Sequence, residues 1–195
     1  MKPGRLVVLS GPSGVGKTTV GRALLHGRRR MLRSISATTR APRPGERHGR
    51  DYLFLSLRAF SAMLRRGDFL EHAQVHAHRY GTPKAPVLGA LREGKDVLLV
   101  IDVQGAEQIR KTAPGVLFLF LAPPSWRVLE KRLRDRGTES PQDLERRLRT
   151  ARRELALRRR YDQVIVNDRL AETVREIRGY LRKTREPSHR RPPRI

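Results

Sequence analysis

Apolar residues in this chain fall into short dense runs, set apart by stretches with helical spacing. RLVVLS (5–10) is followed at once by glycines and predicts a buried strand. TVGRALLHG (19–27) has apolar positions at Val20, Ala23 and Leu24, and Gly27 is a plausible stop, so a helix is predicted. Residues 34–50 read as loop. DYLFLS (51–56) predicts a strand, LRAFSAMLRRG (57–67) a short helix, and DFLEHAQV (68–75) another strand. TPKAPVLGALREG predicts a helix ending near Gly94. DVLLVID (96–102) is the strongest strand, and QGAEQIRKT a helix after it. VLFLFL (116–121) is again a strand. PSWRVLEKRLRDRG predicts a helix ending at Gly137, and residues 140–160 a longer charged one. QVIV is a last short strand before the helix LAETVREIRGYLRK (170–183).

Buried apolar strands alternating with helices imply an α/β fold: a parallel sheet with helices on both faces. Residues 34–95 interrupt that alternation with short strands, turns and polar clusters, and so predict an inserted lobe. There is no internal repeat. The terminus EPSHRRPPRI is Pro-rich and basic and predicts disorder.

Composition adds limits. A chain of 195 residues fits one domain with small insertions. It has no cysteine, hence no disulfide framework or thiolate metal site. No apolar run approaches the roughly 20 residues that span a bilayer, and LVVL is too short for a signal-peptide core. A cytoplasmic protein, monomer or homodimer, is expected. Lysine and arginine number 43 against 19 acids, a net +24, and all but seven of the basic residues are arginine. That surplus predicts sequence-blind attraction to nucleic acid. Aromatics at 5% leave no aromatic-rich recognition strand, so such binding is at most a side activity.

The first motif with chemistry is GPSGVGKT (11–18), which fits G-x-x-x-x-G-K-[ST] and sits between a strand and a helix. Gly11, Gly14 and Gly16 allow a tight turn that aims N–H groups inward. With Pro12, Ser13, Val15 and Thr19 they form a cradle at a helix N-terminus, favourable for phosphate. Lys17 is expected on the β- and γ-phosphates of a nucleoside triphosphate and Thr18 on Mg²⁺. The cradle leaves the phosphate acceptor open.

The arginine-rich stretch SISATTRAPRPGERHGRDY (34–52), placed after such a cradle, resembles the guanylate kinase family. FLEHAQV, RYGT, IDVQGA, FLAPPS, KRLRDRGTES and VIVND agree in the same order, from about Arg5 to about Lys183. The resemblance implies Mg²⁺-dependent transfer of the γ-phosphate of ATP to GMP, and by extension dGMP. It implies a P-loop core over 1–33, 96–124 and 160–185, a GMP-binding lobe over 34–95, and a helical lid region over 125–159. It puts the GMP phosphate on Arg40, Arg43, Tyr52 and Tyr80. It puts guanine on Ser36, Glu71, Thr82 and Asp102, and mobile lid arginines at Arg132, Arg136 and Arg147. The residue types suit this chemistry. Guanidinium groups grip phosphate oxygens in pairs. A carboxylate such as Glu71 can accept from guanine N1–H and N2–H together, and a hydroxyl such as Thr82 can donate to O6. Adenine would leave that carboxylate unpaired.

One position departs from the family pattern: Val100 stands where many members carry an acid two residues before Asp102. Mg²⁺ keeps several waters and needs few protein ligands, so activity is expected to survive. A guanylate-kinase-like binding module that has lost catalysis is the alternative, and the intact cradle argues against it.

Overall fold

The structure is a computed structural model that describes residues 3–28, 30–75, 77–135 and 141–185. Arg136 and the basic tail over 186–195 therefore lie outside the described residues.

The core is a five-stranded, fully parallel sheet. Its strands are β1 (Leu6–Ser10), β2 (Met31–Arg33), β7 (Asp96–Val100), β8 (Leu117–Ala122) and β9 (Gln163–Val166). Their order across the sheet is β2-β7-β1-β8-β9. The apolar runs show why both faces are covered. In β1, Val7 and Leu9 join the core under α1 (Lys17–Leu25) and α7 (Leu170–Lys183). Leu6 and Val8 join the opposite core under α3 (Lys84–Arg92) and α4 (Val103–Thr112). β8 divides in the same way, with Leu117, Leu119 and Leu121 on one face and Phe118 and Phe120 on the other. No polar stripe is left along either strand, as a doubly covered parallel sheet requires.

Residues 34–95 build a second, four-stranded sheet in the order β4-β3-β6-β5. It contains β3 (Ala37–Thr38), β4 (Leu53–Phe54), β5 (Phe69–Val75) and β6 (His78–Pro83). Helix α2 (Leu57–Arg65) starts at Ser56, whose hydroxyl accepts from the Ala59 N–H. It contributes Phe60 to a small separate core, stacked on Phe69 with ring centroids 4.7 Å apart. The residues between β8 and β9 form α5 (Trp126–Arg134), capped by Ser125, and α6 (Pro141–Ala156), followed by a 3₁₀ turn over Leu157–Arg160.

Three strands depart from the sequence expectation. β3 lies within the stretch read as loop and takes its order from pairing with β4 and β6. β6 holds Gly81 and Pro83, residues depleted in strands, and is sustained by its antiparallel partner β5. β2 has only three residues and lies at the sheet edge. Among the described residues, no helix is long and apolar enough to cross a membrane.

Candidate active site

The cradle lies where β1 ends and α1 begins, at the carboxyl edge of the parallel sheet. Open α/β sheets bind their ligands at that edge. Gly11, Gly14 and Gly16 all have positive φ. Gly16 is the N-cap of α1 at φ 96°, and a Cβ there would lie 2.6 Å from Asn167 Nδ2. That amide donates to the Val15 carbonyl at 2.8 Å, and its oxygen accepts from Thr173 Oγ1 at 3.1 Å. Asn167 thus holds the cradle from behind, a role not read from the sequence. Lys17 Nζ donates to the Gly11 and Pro12 carbonyls at 2.7 and 3.0 Å.

A cavity of about 730 Å³ opens in front of the cradle. Ser13, Lys17 and Thr18 line one end. Ser36, Arg40, Arg43, Tyr52, Glu71, Tyr80 and Asp102 line the rest, so seven of the eight expected acceptor-side residues share its wall.

Glu71 is the most constrained of these. A bulge in β5 between Phe69 and Glu71 sets Glu71 opposite Thr82, and the side chain is 4% exposed. Thr82 Oγ1 donates to Glu71 Oε1 at 2.5 Å. The other carboxylate oxygen lies against the first turn of α4, where a Cβ on Gly105 would overlap it. This close approach explains the glycine of IDVQGA. Burial pushes the Glu71 carboxyl up to about 7. The Thr82 bonds oppose that rise and the charge of Asp102 adds to it. Thr82 itself does not reach the cavity wall: it is fully buried and its hydroxyl is spent on Glu71. The structure therefore gives it an orienting place behind Glu71 instead of a free donor.

Asp102 caps α4, its Oδ1 accepting from the Gly105 N–H at 2.9 Å. Arg40 is held by Glu46 through two bonds at 3.0 and 2.9 Å, and its guanidinium lies 5.5 Å from the centre of the Tyr52 ring. Glu46 also accepts from the Arg43 N–H at 2.8 Å, which fixes the turn that carries both arginines. Asp51 anchors the other end of the loop through Arg22 at 2.6 Å and the Arg47 N–H at 3.0 Å. Tyr52 and Tyr80 meet edge to face with centroids 6.1 Å apart, and burial raises the Tyr52 hydroxyl above its usual range, keeping it a donor.

Of the arginines expected to act from the lid, Arg147 lines the cavity. Arg132 instead faces the Asn167 carbonyl at 3.4 Å, behind the cradle. The sequence reading missed Arg146, Thr150 and Glu154 on α6, which also line the cavity. Their signal was present: residues 143, 146, 147, 150 and 154 recur at helical spacing and form one polar stripe on α6. Glu46 was missed as well, although it is one of only two acids within the arginine-rich stretch 34–52.

A doubly wound sheet, a phosphate cradle at its carboxyl edge and a cavity that joins the cradle to a cluster of arginines and a buried acid define a P-loop nucleotide-binding protein. Comparison with known proteins narrows the class. The family profile described as guanylate kinase matches residues 3–184. A guanylate kinase of Nocardia farcinica is 51% identical, over 90% of this chain and 92% of its own. One of Gloeobacter violaceus is 50% identical, over 91% of this chain and 86% of its own. The crystal structure of guanylate kinase from Anaplasma phagocytophilum superposes with a TM-score of 0.81 at 34% identity, over 96% of this chain and 89% of that one. The chain belongs to the guanylate kinase family.

Proposed function

We propose that this protein transfers the γ-phosphate of ATP to GMP, and to dGMP, giving ADP and GDP or dGDP. The observation that carries the reading is the shared cavity, with Lys17 and Thr18 of the cradle at one end and Glu71 buried at the other. ATP suits the cradle, and a guanine suits a carboxylate that can accept two N–H groups side by side. Membership of the guanylate kinase family supports the same pairing of substrates.

Lys17 leaves the loop carbonyls for the β- and γ-phosphates of ATP, while the cradle N–H groups hold them from below. Arg40, Arg43, Tyr52 and Tyr80 hold the GMP phosphate. Ser36, Glu71 and Asp102 fix its base, with Thr82 orienting Glu71. A GMP phosphate oxygen attacks the γ-phosphorus, and the bond to the bridging oxygen of ADP breaks with its electron pair. No general base is needed, because a phosphate monoester with a second pKa of about 6 is mostly ionised at neutral pH. Arg147, joined by Arg132 and Arg136 as the lid closes, balances charge on the migrating group and helps exclude water.

The donor set fits Mg²⁺. Among the described residues no group of three or more His, Asp or Glu could cage a metal, and a cation held chiefly by phosphates and water needs none. The Thr18 hydroxyl would hold it, and it would neutralise charge on the β- and γ-phosphates.

A coupled ADP-release assay with ATP and each of GMP, dGMP, AMP, CMP and UMP tests the proposal. Turnover with the guanine nucleotides is expected, and none with GMP would overturn it.

A further inference from the structure

Glu154 has no part in the mechanism above, yet it reaches the same cavity. It lies on the inward stripe of α6, four residues after Thr150, and lines the cavity with Ser13, Lys17 and Thr18. Its Oε2 is buried and has no hydrogen-bond partner among the described residues. A charged oxygen in that condition is costlier than a neutral orphaned group. Burial pushes its carboxyl up to about 7, with Lys17 and the Ser13 N–H acting to lower it and Asp102 to raise it. Lys17 and the Ser13 N–H favour the charged form, yet Asp102 across the same cavity opposes it and Oε2 is left without a donor.

The strand end supplies little to relieve this. Val100 lines the cavity without an oxygen to offer from its side chain. Asp102 has already given Oδ1 to the Gly105 N–H. The buried orphan oxygen of Glu154 and the Thr18 hydroxyl are hard oxygen donors, the kind that Mg²⁺ selects directly or through its water shell.

We propose that Glu154, carried by the lid helix, is a positioning carboxylate for the divalent cation of the donor nucleotide, acting with Thr18. The inference rests on the reading of the cradle as a site for ATP with Mg²⁺. It ties lid position to the metal: α6 is drawn onto the cradle when nucleotide and cation are both bound, and less so by nucleotide alone.

The test uses Mn²⁺ as a spectroscopic stand-in and a non-hydrolysable ATP analogue, with free Mn²⁺ followed by electron paramagnetic resonance. Glu154→Gln is expected to weaken Mn²⁺ binding to the protein–nucleotide complex roughly 10-fold or more, the usual scale for a ligand-supporting group. Its affinity for the analogue without metal should not fall. Glu154→Asp should recover part of the loss, and it keeps the test informative if the glutamine variant folds poorly. Adding Val100→Asp to Glu154→Gln should restore Mn²⁺ affinity from the opposite wall. Unchanged Mn²⁺ affinity in Glu154→Gln would overturn the proposal. So would tighter metal-free nucleotide binding with unchanged Mn²⁺ affinity, since that would make Glu154 a mere stand-in for phosphate. If the unsubstituted protein bound neither the analogue nor Mn²⁺ with it, the reading of the cradle itself would fail, and this inference with it.

Discussion

Replacing Glu71 by glutamine should make the protein more stable and less active, and the size of both effects follows from its surroundings. The carboxyl is 4% exposed and pushed up to about 7 from an ordinary 4.5. Each tenfold in proton affinity is worth about 1.4 kcal/mol, so keeping Glu71 ionised in the fold costs about 3 kcal/mol. The sign follows from proton binding. The folded state holds a proton on Glu71 between pH 4.5 and about 7 that the unfolded chain has lost, so stability falls as pH rises through that window. Glu71→Gln removes this dependence. Its amide oxygen still accepts from Thr82, and its amide N–H lies on the side of Asp102. The variant should match the parent near pH 5. By pH 8.5 it should be more stable by about 3 kcal/mol, a rise in Tm of roughly 6–12 °C for a chain of this size. Activity should move the other way. The amide can accept only one of the two guanine donors and turns its own N–H toward the other. Losing a charge-assisted bond and creating that clash should cost roughly 3–5 kcal/mol, about 10²- to 10⁴-fold in kcat/KM for GMP. Thermal unfolding across pH 5–8.5 and steady-state kinetics with GMP and AMP measure the two arms. A Tm difference that does not vary with pH would refute the burial argument. An unchanged preference for GMP over AMP would refute the account of base recognition.

Three further outcomes are expected. GMP binding should release a proton near pH 6.5, because guanine needs the ionised form of Glu71; calorimetry in buffers of different ionisation enthalpy detects this, and Glu71→Gln should reduce it. Asn167→Ala removes the donor to the Val15 carbonyl and the acceptor for Thr173. It should cost about 1–3 kcal/mol in denaturant unfolding and raise KM for ATP more than for GMP. Glu46→Gln takes the charge from the partner of Arg40 and leaves that guanidinium freer, so inorganic phosphate should compete with GMP several-fold more strongly; unchanged inhibition by phosphate would show that the pair does not restrain Arg40.

The sequence displayed those parts whose pattern is local. The central strands β1, β7 and β8 are dense apolar runs because each is covered on both faces, and GPSGVGKT carries its conformational demands in its own glycines. β6 was hidden because HRYGTP is a poor strand by composition and owes its form to β5 across six paired positions. RYGT suggested Thr82 as a guanine contact, and nothing in it reveals that the hydroxyl faces Glu71. Glu46 and Glu154 escaped for a common reason. Each is an acid in an arginine-rich segment, where a solvated ion pair is the ordinary outcome, and only the fold shows which carboxylates turn inward.

The bond from Asn167 to Val15 has a consequence for the order of events during synthesis. The two residues are 152 positions apart, and β1, which launches the cradle, is flanked in the sheet by β7 and β8. The motif that first identifies the chain is therefore made long before the residue that fixes it. At about 5–20 residues per second, the interval between translation of Val15 and of Asn167 is roughly 8–30 s. Early in that interval the glycine-rich segment lacks the strands beside it, and to the end of it the segment lacks the amide behind it. Nucleotide binding by nascent chains should thus begin abruptly, once Asn167 has left the ribosome.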